Sequence, residues 1–213
     1  RNMTGSSEKP ALAMNGLQVE QLRFLGRGPY NFTVPAGSIF GLSGSSGSGK
    51  TLLLRAISDL DPNEGRVTLN GVRNLDLPAS EWRRKVAWLP AESLWWHDRV
   101  GAHFWQIPPL QWFNSLGFAE EVMNWEISRL STGEKQRLAI LRLLQHRPSA
   151  LLLDEPTASL DKANIAAVEN FITSYLKENN GLAIWVSHDS EQLERVGACH
   201  YAMLLGGEMR KLR

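Results

Sequence analysis

The chain has 213 residues, 43% hydrophobic and 21% charged, with a formal net charge of +1. This is enough for one domain with a sizeable core, and the charge balance gives no argument for nucleic acid or anionic lipid as the main partner. Cys199 is the only cysteine, which excludes an intrachain disulfide and a multi-cysteine metal site, and no apolar run approaches the ~18 residues that cross a bilayer.

In chain order, Arg1–Pro10 is polar and Ser/Gly-containing and reads as a disordered tail extending to about residue 14. Leu17–Leu22 alternates apolar and polar residues, as an edge or half-buried strand does, and Asn31–Val34 suggests a second strand stopped by Pro35-Ala36-Gly37. Ser38–Leu42 is a short apolar run entering a glycine-serine loop; Thr51–Ile57 has helix-forming composition. Asp61–Gly65 is a turn and Arg66–Asn70 a strand. From about Leu75 to Arg147, charged helical stretches alternate with a tryptophan-rich middle, which reads as a mainly helical insertion. Beyond it come a buried-type strand at Leu151–Asp154, a long helix at Ala163–Glu178, a strand at Ala183–Ser187, a short helix at Ser190–Val196 and a last strand at His200–Leu205. Strands alternating with helices on both sides of the insertion indicate an α/β core with a parallel sheet.

Gly44-Ser45-Ser46-Gly47-Ser48-Gly49-Lys50-Thr51 matches G-x-x-x-x-G-K-S/T between an apolar strand and a helix. Its glycines let successive N–H groups curl around an anion, and the following helix adds its positive end. Lys50 is placed to reach the β- and γ-phosphates, and the Thr51 hydroxyl to ligate Mg²⁺. A plain Gly/Ser turn does not need Lys-Thr at its end. Leu151–Glu155 sets two carboxylates at the end of a buried strand: Asp154 suits a metal shell and Glu155 a general base for water. Alone, an apolar run ending in Asp-Glu is a strand exit; beside a phosphate loop it gains meaning. Ser131 and Glu134 form an S-x-x-E capping box that should start a helix. His188 ends an apolar strand, on the side where open α/β sheets bind ligands, although a lone histidine there is more often structural.

Together, from about Leu17 to Leu205, these residues resemble the ATP-binding-cassette (ABC) ATPases, and in particular small bacterial ATPases of the iron-export type. Gly44–Thr51 resembles the family's Walker A loop, Leu151–Glu155 its Walker B strand with the catalytic glutamate, and Leu130–Glu134 its signature, usually L-S-G-G-Q. Ser159-Leu160-Asp161 resembles the D-loop and His188 the switch histidine. The resemblance implies a P-loop NTPase fold of the ABC type: a RecA-like parallel-sheet core at about 15–74 and 148–213, an antiparallel β edge, and a helical subdomain at about 75–147, all within one domain at 15–213. It implies ATP and Mg²⁺ as cofactors, and a homodimer in which two copies sandwich two ATP molecules. Ser131 and Gly133 of one copy then contact the γ-phosphate held by the other, while His188 holds the γ-phosphate and the water in its own chain. It further implies an integral-membrane permease partner and a place on the cytoplasmic face of the inner (plasma) membrane. A soluble ATPase of, for example, iron–sulfur cluster assembly is the alternative.

Three positions depart from the family pattern. The Q-loop glutamine falls at Ala91, which has no side-chain ligand for Mg²⁺, and the neighbouring Glu92 points the other way on an extended segment. This predicts slow or partner-dependent hydrolysis. The signature carries Thr132 for a glycine and Glu134 for a glutamine. The aromatic that stacks on adenine falls nearest Phe24, with Tyr30 second. The aromatics of Leu94–Asp98 and Phe104–Pro109 divide between two readings, a groove for a helix of the membrane subunit and the small core of the subdomain. The spacing of His97, Asp98 and His103 matches no metal motif.

Overall fold

A computed structural model describes residues 15–212, so the tail expected at 1–14 lies outside the described residues. The elements are β1 (Gly16–Phe24), β2 (Arg27–Pro35), β3 (Ile39–Ser43), α1 (Lys50–Ile57), β4 (Glu64–Leu69), β5 (Val72–Arg73), α2 (Ala79–Lys85) and β6 (Val86–Leu89). They continue as α3 (Leu110–Ser115), α4 (Thr132–Leu144), β7 (Ala150–Asp154), α5 (Lys162–Glu178), β8 (Leu182–Val186), α6 (Ser190–Arg195), β9 (Cys199–Met203) and β10 (Met209–Lys211).

The apolar runs that lacked alternation are the central strands. In β7, Ala150 and Leu152 face one cluster and Leu151 and Leu153 the other; in β8, Leu182, Ile184 and Val186 oppose Ala183 and Trp185. Side chains alternate across a strand, so a continuous apolar run means both faces are covered. One face packs on α1, α2 and the small sheet, the other on α3, α4, α5 and α6. The six-stranded sheet has the order β10-β9-β3-β8-β7-β6, parallel except for β10. The second sheet, β2-β1-β4-β5, is antiparallel.

One expectation narrows and two change. β1 is paired on both sides, with β2 and β4, so of its two readings it is the half-buried strand and not the edge. β10 extends the main sheet beyond the strand expected to be last. The segment at 75–147 is not one helical insertion. β6 pairs with β7 in the main sheet, from Val86↔Ala150 to Leu89↔Leu153, and Trp82 of α2 lies fully buried with its indole N–H donating to the Ile57 carbonyl at 3.0 Å. A four-residue apolar run after a basic helix gave too little periodicity to declare a core strand. Between β6 and α4 the chain is mostly loop and short 3₁₀ turns, with α3 the one α-helix. Pro108 and Pro109 keep a helix from running into α3 from upstream, Pro109 being its N-cap, and Gly117 at φ +81 stands just past its end.

The main sheet positions the site. The C-terminal ends of β3, β8 and β7 are adjacent, and to them are attached the loop at Gly44, the loop at His188 and the pair Asp154-Glu155.

Candidate active site

The glycine-serine loop bends because its residues can. Gly44 has φ +148, Gly47 +80 and Gly49 +105; Gly49 also caps α1, and its carbonyl accepts from Leu53. The loop therefore ends on the first turn of a helix, whose N–H groups have no intrahelical acceptor. The Lys50 ammonium folds back over the loop, donating to the carbonyls of Gly44 at 2.7 Å and Ser45 at 2.9 Å. Burial lowers its pKa below the usual lysine value, and the Glu155 and Asp154 charges oppose that shift.

The Thr51 hydroxyl donates to Asp154 Oδ2 at 2.6 Å, a bond joining α1 to the end of β7. A hydrogen bond to a charged group contributes about 1.5–3 kcal/mol. A hydroxyl and a carboxylate side by side are hard oxygen donors of the kind Mg²⁺ takes. Next in sequence, Glu155 has φ +49 and donates its N–H to the Val186 carbonyl at 3.1 Å. That bend turns its carboxylate to 3.2 Å from His188 Nε2. Burial is the main cause that raises the Glu155 pKa; His188 and Lys50 pull it down, and Asp154 pushes it up. A carboxyl kept off its ordinary value by burial beside an imidazole is poised to take a proton.

Lys50, Thr51, Asp154, Glu155 and His188 are thus brought together. Ser131 and Gly133 are not joined to them. Ser131 caps α4 as expected: its side chain accepts from the Glu134 N–H at 3.2 Å, and Glu134 accepts from the Ser131 N–H at 2.8 Å. A Cβ on Gly133 would lie 3.2 Å from the Leu160 side chain, so Gly133 packs against the Ser159-Leu160 segment of its own chain. Asp161 caps α5, accepting from the Asn164 N–H at 2.9 Å. Ser131, Thr132 and Asp161 are all on the surface. Ala91 and Glu92 are exposed beyond β6.

The adenine assignment needs correction. Phe24 is 4% exposed, and its ring stacks on Tyr30 with centroids 5.4 Å apart. The cause is the tight reversal between β1 and β2: Phe24 pairs with Arg27, and Leu25 and Gly26 both take positive φ. This turn lays Tyr30 over Phe24 and leaves Leu25 exposed. Residues 23–28 and Pro62–Glu64 line a cavity of about 430 Å³ at this corner.

Arg27 was missed by sequence reasoning, since an arginine on a strand carries no motif. Its guanidinium donates to the Ser48 carbonyl at 2.7 Å and the Gly47 carbonyl at 3.2 Å, fixing the outer side of the phosphate loop. Arg27→Ala is expected to raise the KM for ATP severalfold with little change in kcat, read from steady-state ATPase assays. The histidine cluster binds backbone: His103 Nε2 accepts from the N–H groups of Trp96 and His97 at 3.1 and 3.0 Å, and its Nδ1 lies 3.0 Å from the Arg99 carbonyl.

The sequence matches the ABC transporter family over residues 28–158. It is 30% identical to "Probable iron export ATP-binding protein FetA" of Escherichia coli, over 86% of this chain and 87% of that protein. It is 33% identical to the aliphatic sulfonates import ATP-binding protein SsuB of Pseudomonas putida, over 73% of this chain but 59% of that one. An ATP-binding cassette solved as a dimer in a post-hydrolysis state with ADP and Pi shares the fold, with TM-score 0.76 and 22% identity over 92% of this chain and 99% of that chain. The chain belongs to the ABC transporter family and is an ATP-binding, ATP-hydrolysing cassette of that family. It has relatives named for both export and import.

Proposed function

We propose that the chain is the ATPase subunit of an ABC transporter that works as a homodimer closed by two MgATP and drives a separate integral-membrane permease, in an export system for iron or a similar metal. The observation that carries this reading is the division of the site. Lys50, Thr51, Asp154, Glu155 and His188 meet at the C-terminal ends of β3, β7 and β8, while Ser131 and Asp161 are exposed and Gly133 is half-buried beside Leu160, away from that group and placed to complete the site of a second copy. The FetA match, nearly complete on both chains, favours export.

In this reading Gly44–Thr51 cradles the phosphates, and Lys50 releases its hold on the loop carbonyls to meet them. Thr51 and Asp154 would hold Mg²⁺, which when bound neutralises charge on the β- and γ-phosphates. Glu155 takes the proton of the attacking water, and His188 orients the Glu155 carboxylate and the γ-phosphate.

The permease docks on the groove after β6. Trp105 is 90% and Trp96 66% exposed there, whereas Trp95 and Phe104 pack on the core, which supports a division of these aromatics between a docking surface and the core. A cavity of about 300 Å³ is lined by Trp88, Trp96, Trp105, Arg83, Arg84 and Arg142 among others, with no Asp or Glu among its described lining. Burial lowers the Arg142 pKa to about 10, and among the described residues no carboxylate forms an ion pair with it. An acidic, amphipathic element of the permease fits such a groove.

The test is co-purification from detergent-solubilised membranes. The wild-type chain is expected to bring down a membrane protein, and a Trp96→Ala/Trp105→Ala variant to lose it while still binding ATP. A wild-type chain that enters no membrane complex would overturn the transport reading in favour of a soluble ATPase.

A further inference from the structure

We propose that Glu169, buried in the middle of α5, is a positioning residue for hydrolysis that sets the spacing of Glu155 and His188. The inference rests on the reading of those two residues as the hydrolytic pair.

Glu155 and His188 lie on loops leaving neighbouring strands, β7 and β8. Two residues beyond Glu155 stands Thr157; one residue beyond His188 stands Asp189, which caps α6 by accepting from the N–H groups of Glu191 and Gln192 at 2.9 and 3.2 Å. Both loops are tied to Glu169 through Gln192 and Arg195. Gln192 Nε2 donates to Thr157 Oγ1 at 2.7 Å and to Glu169 Oε1 at 3.0 Å. Arg195 donates to both Glu169 oxygens, at 2.9 Å to Oε1 and 3.2 Å to Oε2, and reaches Asp189 at 3.5 Å. Thr157, Glu169 and Gln192 are each buried. One carboxylate therefore anchors the helix that follows the histidine and, through Gln192, the loop of the base.

A buried carboxylate is costly unless it is paired and hydrogen-bonded, and an apolar residue would pack α5 on the sheet without that cost. The polar network does what packing does not: it admits one arrangement of the two loops, because any shift leaves a buried donor or acceptor unmatched. Near the reacting atoms, a displacement of about 1 Å can cost on the order of 100-fold in rate. The N-cap of α5 is Asp161, the exposed residue that faces a second copy in the proposed dimer. A movement of that helix would reach the 3.2 Å Glu155–His188 contact through Glu169.

The experiment compares single-turnover ATP hydrolysis and binding of the fluorescent nucleotide TNP-ATP in wild type, Glu155→Gln, Glu169→Gln, Thr157→Val, Arg195→Lys and Arg195→Met. Expected results are a tenfold or greater loss of rate in Glu169→Gln and Thr157→Val with nucleotide affinity within twofold of wild type, and a higher rate in Arg195→Lys than in Arg195→Met. A Glu169→Gln protein that hydrolyses within twofold of wild type, or that loses rate and affinity in equal proportion, would overturn the proposal. If Glu169→Gln does not fold, Thr157→Val and the Arg195 pair decide by the same criteria. Hydrolysis in the wild type that survives Glu155→Gln removes the underlying reading instead, and the proposal with it.

Discussion

Glu155→Gln is expected to lower ATP turnover by roughly 10²–10⁴-fold, the range that a general base contributes, while nucleotide binding survives. The variant keeps the shape of the side chain and the phosphate loop, but it cannot accept the proton of the attacking water. In the proposed dimer it stops the cycle after closure, so the protein should elute as a dimer in MgATP and as a monomer without nucleotide. The pH dependence has a defined sign. Burial raises the Glu155 pKa above its unfolded value of 4.5. In the window between 4.5 and the raised value the folded chain binds the extra proton, so stability from this group is fully present below 4.5 and is lost as pH rises through the folded pKa. Ionisation above the raised pKa carries the desolvation cost into the fold, so wild type should lose more stability than Glu155→Gln as pH rises from 4.5. The same shift puts the acid limb of kcat above pH 4.5. A variant that turns over at the wild-type rate, or loses as much stability as wild type when pH rises from 4.5, would contradict the placement of this carboxylate.

What could be read from the sequence follows from where the chemistry is written. Gly44–Thr51 and Asp154-Glu155 are contiguous residues whose types and order match the phosphate and metal binding proposed for them, and the strands that carry them are apolar on both faces. Both the loop and its strand context were therefore legible. Capping of α4 by Ser131 and Glu134 was legible for the same reason, being a local bond between residues three apart. The misses depend on partners distant in sequence. Nothing in Val86–Leu89 says that its neighbour is β7, some 60 residues on. Phe24 was found by position, but its cover by Tyr30 follows from a tight turn whose geometry its residues did not announce. Arg27 and Glu169 have no motif at all; each acquires its role only when a loop 20 residues away, or a helix 23 residues away, folds against it.

Lys50 and Glu155 carry opposite shifts from one cause. Burial lowers the first and raises the second, so desolvation weakens the charge of both, and each charge partly restores the other. Lys50 spends its donors on the carbonyls of Gly44 and Ser45, the bonds that phosphate oxygens would displace. Nucleotide entry therefore exchanges contacts with neutral carbonyls for contacts with a polyanion, and the geometry of the loop decides whether that exchange can occur.

That geometry makes Gly44→Ala the most damaging small substitution in the loop. Gly44 sits at φ +148, and an added Cβ would lie 2.3 Å from the Met203 carbonyl oxygen and 3.0 Å from Ser48 Oγ. Ser43 pairs with Ala202, so Gly44 leaves the sheet directly against the backbone of Met203, a buried residue of β9. Neither backbone can move without breaking the ladder between β3 and β9. The strained conformation alone costs about 1–3 kcal/mol, and the clash adds to it. Gly47→Ala is the control: φ is +80, but nothing lies within 4 Å of the added Cβ. It therefore bears the strain without the clash. Gly44→Ala is expected to lower the melting temperature by more than Gly47→Ala, at roughly 2–4 °C per kcal/mol for a chain of this size, and to weaken ATP binding at least tenfold, measured by nucleotide titration. Equal melting temperatures and equal affinities in the two variants would mean that the loop yields at Gly44, and that its close approach to β9 does not hold the phosphate cradle in shape.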